Sequence, residues 1–144
     1  MKKTILITGA SSGFGEACAR RFCGPENRLI LAARRLEKLE KLQQELSDTE
    51  SFVMQLDVRD RNSVAEKLAG LSEPFNEIDI LVNNAGLALG LEPAQESDLD
   101  KWETMVDTNI KGLIYCTRQI LPEHVNINHL EVMPVCQAWG PFFH

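Results

Sequence analysis

Short apolar runs alternate with stretches of helical periodicity along most of this chain, and that alternation restricts the fold more than any other feature. Lys3–Thr8, centred on Ile5-Leu6-Ile7, ends in a glycine-rich turn and is predicted as a strand buried on both faces. A helix is predicted over Phe14–Phe22, with Phe14, Ala17, Cys18 and Phe22 on its apolar face and Gly24-Pro25 as its stop. Arg28–Ala33 is a second strand. Leu36, Leu39, Leu42 and Leu46 then mark an amphipathic helix. Ser51–Asp57 is a third strand, followed by a polar helix from Asn62 to Leu71 patterned by Val64, Ala65 and Leu68. Ile78–Val82 is a fourth strand, and Asn83–Gln95 is a loop broken by Gly86, Gly90 and Pro93. A long helix is predicted over Asp98–Leu121. Leu99, Trp102, Val106, Ile110, Leu113, Thr117 and Ile120 line one stripe, widened by Met105, Ile114 and Leu121. A stripe that wide is expected to cover a sheet and something further. Pro122 ends the helix, and Val125–Val135 is expected as a fifth strand before an aromatic tail. Alternation of this kind predicts an α/β fold, a doubly wound parallel sheet with helices on both faces.

Composition narrows the function. The 144 residues give one domain's length, and 44% hydrophobic with 25% charged residues is a globular composition. A net charge of −6 argues against a nucleic-acid partner bound through bulk charge, although it leaves room for a local phosphate site. Ile5-Leu6-Ile7 is too short for a signal core or a membrane span, so no membrane partner and a cytoplasmic location are expected. Cys18, Cys23, Cys116 and Cys136 have no CxxC spacing and read as reduced, packed thiols. His124, His129 and His144 with Cys136 and Glu123 match no zinc spacing, so no metal site is expected.

The first turn carries the clearest chemistry. Thr8-Gly9-Ala10-Ser11-Ser12-Gly13-Phe14-Gly15 joins a buried strand to a helix N-terminus, where unpaired N–H groups and the helix dipole favour a phosphate. Gly9 is suited to the tight turn, Gly13 to close approach of a pyrophosphate, and Gly15 to close packing of helix and strand. An ordinary strand-to-helix turn has the same composition, but its place after the first strand of an alternating pattern favours cofactor binding. Without Gly-Lys-Ser/Thr, a nucleoside-triphosphate loop is not supported. At the end of the second strand, where an NAD site places a carboxylate for the ribose 2′-hydroxyl, the chain has Ala32-Ala33-Arg34-Arg35. Two guanidinium groups at a helix start are unfavourable without an anion nearby, and their planar forks suit a 2′-phosphate. NADP is therefore the expected cofactor.

The TGxxxGxG spacing resembles that of the short-chain dehydrogenase/reductase family, and three further stretches follow in the family's order. Asp57-Val58 closes the third strand, where the family contacts adenine. Asn83-Asn84-Ala85-Gly86 follows the fourth strand, like the family's NNAG motif. Asn109 in Thr108-Asn109-Ile110-Lys111-Gly112 matches the asparagine of the active-site tetrad. Gly13-Phe14-Gly15 and Asn84–Gly90 resemble the NADP-dependent branch that oxidises serine and 3-hydroxy acids. The resemblance implies a Rossmann fold and a cofactor site at Gly9, Ser11, Ser12, Gly13, Phe14, Gly15, Arg34, Arg35, Asp57, Val58, Asn84, Ala85 and Gly86. It also implies Asn109 as a catalytic residue, a small hydroxy-acid substrate, hydride transfer, and a homo-oligomer built through the Asp98–Leu121 helix.

The rest of the family pattern is interrupted. Its chemistry uses a serine and a tyrosine with a lysine four residues on. The chain has one tyrosine, Tyr115, followed four residues later by Gln119, and no serine after Ser97. Tyr115 is expected to pack, not to act as the acid. Residues 1–121 resemble the dinucleotide-binding half, whereas 122–144 resemble the final strand and tail of the same branch. We read the chain as an internally deleted, truncated member whose hydride transfer is impaired. A non-catalytic NADP-binding or dimerisation module is the alternative. In the deleted chain, Val125–Val135 is expected beside the fourth strand.

Overall fold

A computed structural model describes residues 2–121. The expectations for Pro122, the Val125–Val135 strand, the tail and Cys136 lie outside those residues. The elements run β1 (Lys3–Thr8), α1 (Gly13–Arg21), β2 (Asn27–Ala33), α2 (Leu36–Glu45), β3 (Glu50–Gln55), α3 (Arg61–Ala69) and β4 (Ile80–Val82). A 3-10 turn at Ala94–Glu96 precedes α4 (Leu99–Val106), a π-helical segment (Asp107–Gly112) and α5 (Leu113–Ile120). The four strands form one parallel sheet ordered β3-β2-β1-β4. This is the expected α/β, Rossmann-like arrangement.

The two-residue period of the strands sorts the core into two layers. Ile5 and Ile7 of β1 and Leu29, Leu31 and Ala33 of β2 face one side. Ala19 of α1 and Leu39 and Leu42 of α2 cover them there. Leu6, Ile30, Ala32 and Met54 face the other side, beneath Val64 and Leu68 of α3 and Cys116 of α5. Ile5, Leu6, Ile7, Leu29, Ile30 and Leu31 are essentially inaccessible, as strands buried on both faces require. Asp60 caps α3 by accepting from the N–H groups of Asn62 and Ser63, both at 3.0 Å.

Two expectations about helix faces are corrected. In α1 the core side is Gly15 and Ala19, with Cys18 and Phe22 half-buried, whereas Ala17 and Phe14 (62% accessible) face outward. Phe14 stands in the first turn, where the helix is still leaving the loop. The second correction concerns the long helix, which runs as expected but carries the π segment in its middle. Its buried positions are Thr108, Gly112 and Cys116, while Leu99, Trp102, Val106, Ile110 and Ile114 are exposed. The cause is close approach: a Cβ on Gly112 would lie 2.6 Å from Cγ2 of Val58, so only small residues fit there. Leu99, Trp102, Val106, Ile110 and Ile114 face outward, whereas Tyr115 and Ile120 pack against the core. The six-residue π segment also breaks the 3.6-residue period on which a single stripe depends.

The direction of travel across the sheet sets the site. From β1 the chain moves outward through β2 and β3, then returns to place β4 on the other side of β1. Ligands of open α/β sheets bind at the carboxyl ends of the strands where the order reverses, here β1 and β4.

Candidate cofactor cleft

A cleft of about 250 Å³ opens at that place. The loop after β1 supplies Gly9, Ser11, Ser12, Gly13 and Phe14. The end of β2 supplies Arg34 and Arg35, the end of β3 supplies Asp57 and Val58, and the end of β4 supplies Asn84, Ala85 and Gly86. Those residues all belong to the cofactor set read from the sequence. Gly15 does not line the cleft but underlies it: a Cβ there would run into the Gly9 carbonyl and the Asn84 amide. It therefore allows the loop to fold on itself, where close helix–strand packing was expected. Gly9 has φ +68° and sits against Ala85, so both its conformation and its lack of a side chain are needed.

The two sides of the cleft are tied together by one buried hydroxyl. Thr8 Oγ1 donates to the Val82 carbonyl (3.3 Å) and accepts from the N–H groups of Asn84 and Ala85, both at 3.0 Å. Its single donor and both acceptor positions are thus used. Asn84 completes the seam: its side-chain amide donates to the carbonyls of Thr8 (3.0 Å) and Gly9 (3.3 Å). Thr8 is absent from the set read from the sequence, although a polar residue closing an apolar strand was the available signal. Ala33, Leu56, Leu87 and Thr108 also line the cleft and were not anticipated.

The end of the cleft at the α1 N-terminus is basic and hydroxyl-rich. Ser12 is the N-cap residue of α1, yet its side chain makes no capping bond. Instead its Oγ accepts from an Arg35 guanidinium N–H at 2.8 Å, and Ser11 Oγ accepts from the same nitrogen at 3.0 Å. The first N–H groups of α1 are consequently left without a side-chain cap, as an anion site at a helix N-terminus requires. Asp57 is the one carboxylate lining the cleft among the described residues. The Arg59 guanidinium beside it holds its pKa below the usual carboxylate value.

Asn109 lies in the π segment and not in the cleft lining. Its side-chain Oδ1 accepts from the Leu87 N–H (2.9 Å) and its Nδ2 donates to the Leu87 carbonyl (2.8 Å). The amide thus pins the loop after β4 as a paired strand would. Asn83 adds a second tie by donating to Thr117 Oγ1 at 2.8 Å.

The sequence profile of the short chain dehydrogenase family matches residues 3–131. The chain belongs to this family. The short-chain dehydrogenase is 49% identical over 136 residues to the NADP-dependent 3-hydroxy acid dehydrogenase YdfG of Escherichia coli K12, covering 94% of this chain and 54% of that protein. It is 51% identical over 122 residues to the serine 3-dehydrogenase of Rhizobium radiobacter, covering 85% of this chain and 49% of that one. A structure of serine dehydrogenase in its closed form with NADP+ superposes with a TM-score of 0.79 at 51% identity, over 83% of this chain and 48% of that chain. The Escherichia coli serine dehydrogenase structure gives 0.77 at 50% identity, over 81% of this chain and 54% of that chain. The chain thus spans about half the length of the relatives it matches. Tyr115 of this short-chain dehydrogenase is half-buried against the α3 and α5 layer, in agreement with a packing role. Among the described residues, no helix is long and apolar enough to cross a membrane, and no cluster of His, Cys, Asp or Glu could hold a metal ion.

Proposed function

We propose that the cleft binds NADP(H), as part of an oxidoreductase that moves a hydride between nicotinamide and the carbinol carbon of a small hydroxy acid of the serine or 3-hydroxy-acid type. The single observation that carries this reading is the Arg35 guanidinium nitrogen shared by Ser11 and Ser12, with Arg34 beside it and no carboxylate at the end of β2. The names of the relatives at about half identity point the same way. Arg34, Arg35, Ser11 and Ser12 would hold the 2′-phosphate. The uncapped α1 N-terminus and Gly13, with open space beside it, would take the pyrophosphate. Asp57 and Val58 would flank adenine, and Asn84-Ala85-Gly86 would border the ribose and nicotinamide. The bound nicotinamide supplies or accepts the hydride. Asn109 serves that site by holding Leu87, which lines the cleft.

The test is equilibrium binding of NADPH and NADH to the wild type and to the Arg34→Ala/Arg35→Ala variant. One or two charge-assisted hydrogen bonds, discounted for exposure, give a preference for NADPH of roughly ten- to a thousandfold. The double variant is expected to erase most of it. Unchanged NADPH affinity in the variant would sink the assignment.

Residues 1–121 form the dinucleotide-binding half on this reading. With Gln119 four residues after Tyr115 and no serine after Ser97, turnover by the 144-residue chain is expected to be at least a hundredfold below that of an intact enzyme. One observation favours a second role as an assembly module. Leu99, Trp102, Val106, Ile110 and Ile114 expose an apolar face along α4 and α5, and we propose that a second copy of the chain covers it.

A further inference from the structure

We propose that Arg59 sets the 2′-phosphate preference of the cleft through Asp57, a role that rests on the NADP reading above. Arg59 does not line the cleft. Its guanidinium grips the Asp57 carboxylate, with Nε at 3.0 Å from Oδ1 and 3.1 Å from Oδ2, and a terminal nitrogen at 2.6 Å from Oδ2. The Arg59 backbone N–H adds a fourth contact to Oδ1 at 3.1 Å. The turn between β3 and α3 therefore aims both side chains at each other, and the carboxylate is held by a two-point fork. Arg34, at the end of the neighbouring strand β2, lies close enough to act on the same carboxylate electrostatically.

The charge arithmetic explains why this matters. Asp57 is the one acidic side chain lining the cleft among the described residues, and it shares that lining with Arg34 and Arg35. A 2′-phosphate carries about −1.5 to −2 charges at neutral pH, so an unpaired carboxylate on the same cleft opposes it. Three guanidinium groups against one carboxylate leave two net positive charges around the adenosine end, which matches the phosphate. Without Arg59 one remains, and the carboxylate is unmasked. The pair is partly solvated, with 37% and 34% of the two side chains accessible, so the effect is moderate.

The experiment measures NADPH and NADH dissociation constants calorimetrically at fixed low ionic strength for wild type, Arg59→Met, Arg59→Lys and the double variant Asp57→Asn/Arg59→Met. Arg59→Met is expected to lower the NADPH-to-NADH affinity ratio on the order of three- to tenfold, chiefly through NADPH. Arg59→Lys, which keeps the charge, retains most of the ratio. The double variant, which returns the net charge to two, restores it. Equal losses for both cofactors in Arg59→Met, or no recovery in the double variant, would mean that Arg59 is only a structural brace and would overturn the proposal. Wild type with no preference for NADPH would overturn the NADP reading itself and this inference with it. A preference that stays intact in every Arg59 variant would leave that reading standing and remove only the role given to Arg59.

Discussion

Replacing Thr8 by valine tests whether one hydroxyl couples the two halves of the cleft. Thr8 is 1% accessible, and valine keeps its shape while deleting the hydroxyl. Three bonds are lost, but the losses differ. The Asn84 N–H also donates to the Val82 carbonyl at 3.0 Å, so it and that carbonyl keep a partner. The Ala85 N–H has Thr8 Oγ1 as its partner and is left half-buried and unpaired. An orphaned buried donor costs about 1–3 kcal/mol. We therefore expect Thr8→Val to lose about 2 kcal/mol and, for a domain of this size, roughly 5–10 °C in Tm. Thr8→Ser keeps the oxygen and is expected to retain most of the stability. Urea titration followed by circular dichroism gives the free energies, and NADPH titration reads the cleft. A valine variant as stable as wild type, or a serine variant as poor as valine, would refute the reasoning.

Asn109→Asp keeps the acceptor for the Leu87 N–H but turns the donor at 2.8 Å from the Leu87 carbonyl into a second acceptor. It is expected to weaken NADPH binding at least tenfold and to increase amide exchange at Leu87, read by hydrogen exchange. Ile110→Glu, which puts a charge on the exposed apolar face, is expected to shift the sedimentation of the chain from dimer towards monomer. A wild-type chain that sediments as a monomer at high concentration would count against self-association. Burial pushes the Cys116 thiol up to about 12, so it stays protonated in the fold while the unfolded thiol ionises near pH 9. The unfolded state then binds fewer protons, and this group's contribution to stability falls as pH rises through that window. The cost of Cys116→Ala is accordingly expected to shrink by about 2 kcal/mol between pH 8 and pH 10.5, as measured by urea titration at each pH.

The centre of the sheet was legible because β1 and β2 are short apolar runs, and burial on both faces leaves them little other choice. Twelve cleft-lining residues were legible for a related reason: they sit where strands end, and a strand end is marked by the change from apolar to small or polar residues. What the sequence could not disclose was orientation. Phe14 and Ala17 fit a helical face by count, but the loop sets the angle at which α1 departs. The long helix fitted one apolar stripe by count, but contact of Gly112 with Val58 turns the small residues inward. Thr8 and Leu87 were missed because their partners, backbone groups 74 to 77 positions away for Thr8 and the Asn109 side chain 22 positions away for Leu87, are encoded by no local period.

The same placement explains why a half-length chain keeps a coherent cleft. Apart from Thr108 of the π segment, the lining comes from the ends of the four described strands and the turns that follow them. Thr8 and Asn84 join the β1 and β4 ends, Arg35 joins the β2 end to the first loop, and Asn109 joins the long helix to the loop after β4. On the proposed reading, the residues that hold NADP(H) all lie within 2–121, whereas the proton-transfer groups that the family resemblance implies do not. Binding and turnover should therefore separate in this chain. NADPH affinity is expected to respond to Thr8, Arg34, Arg35 and Asn109, while changing Tyr115 to phenylalanine leaves it unaltered.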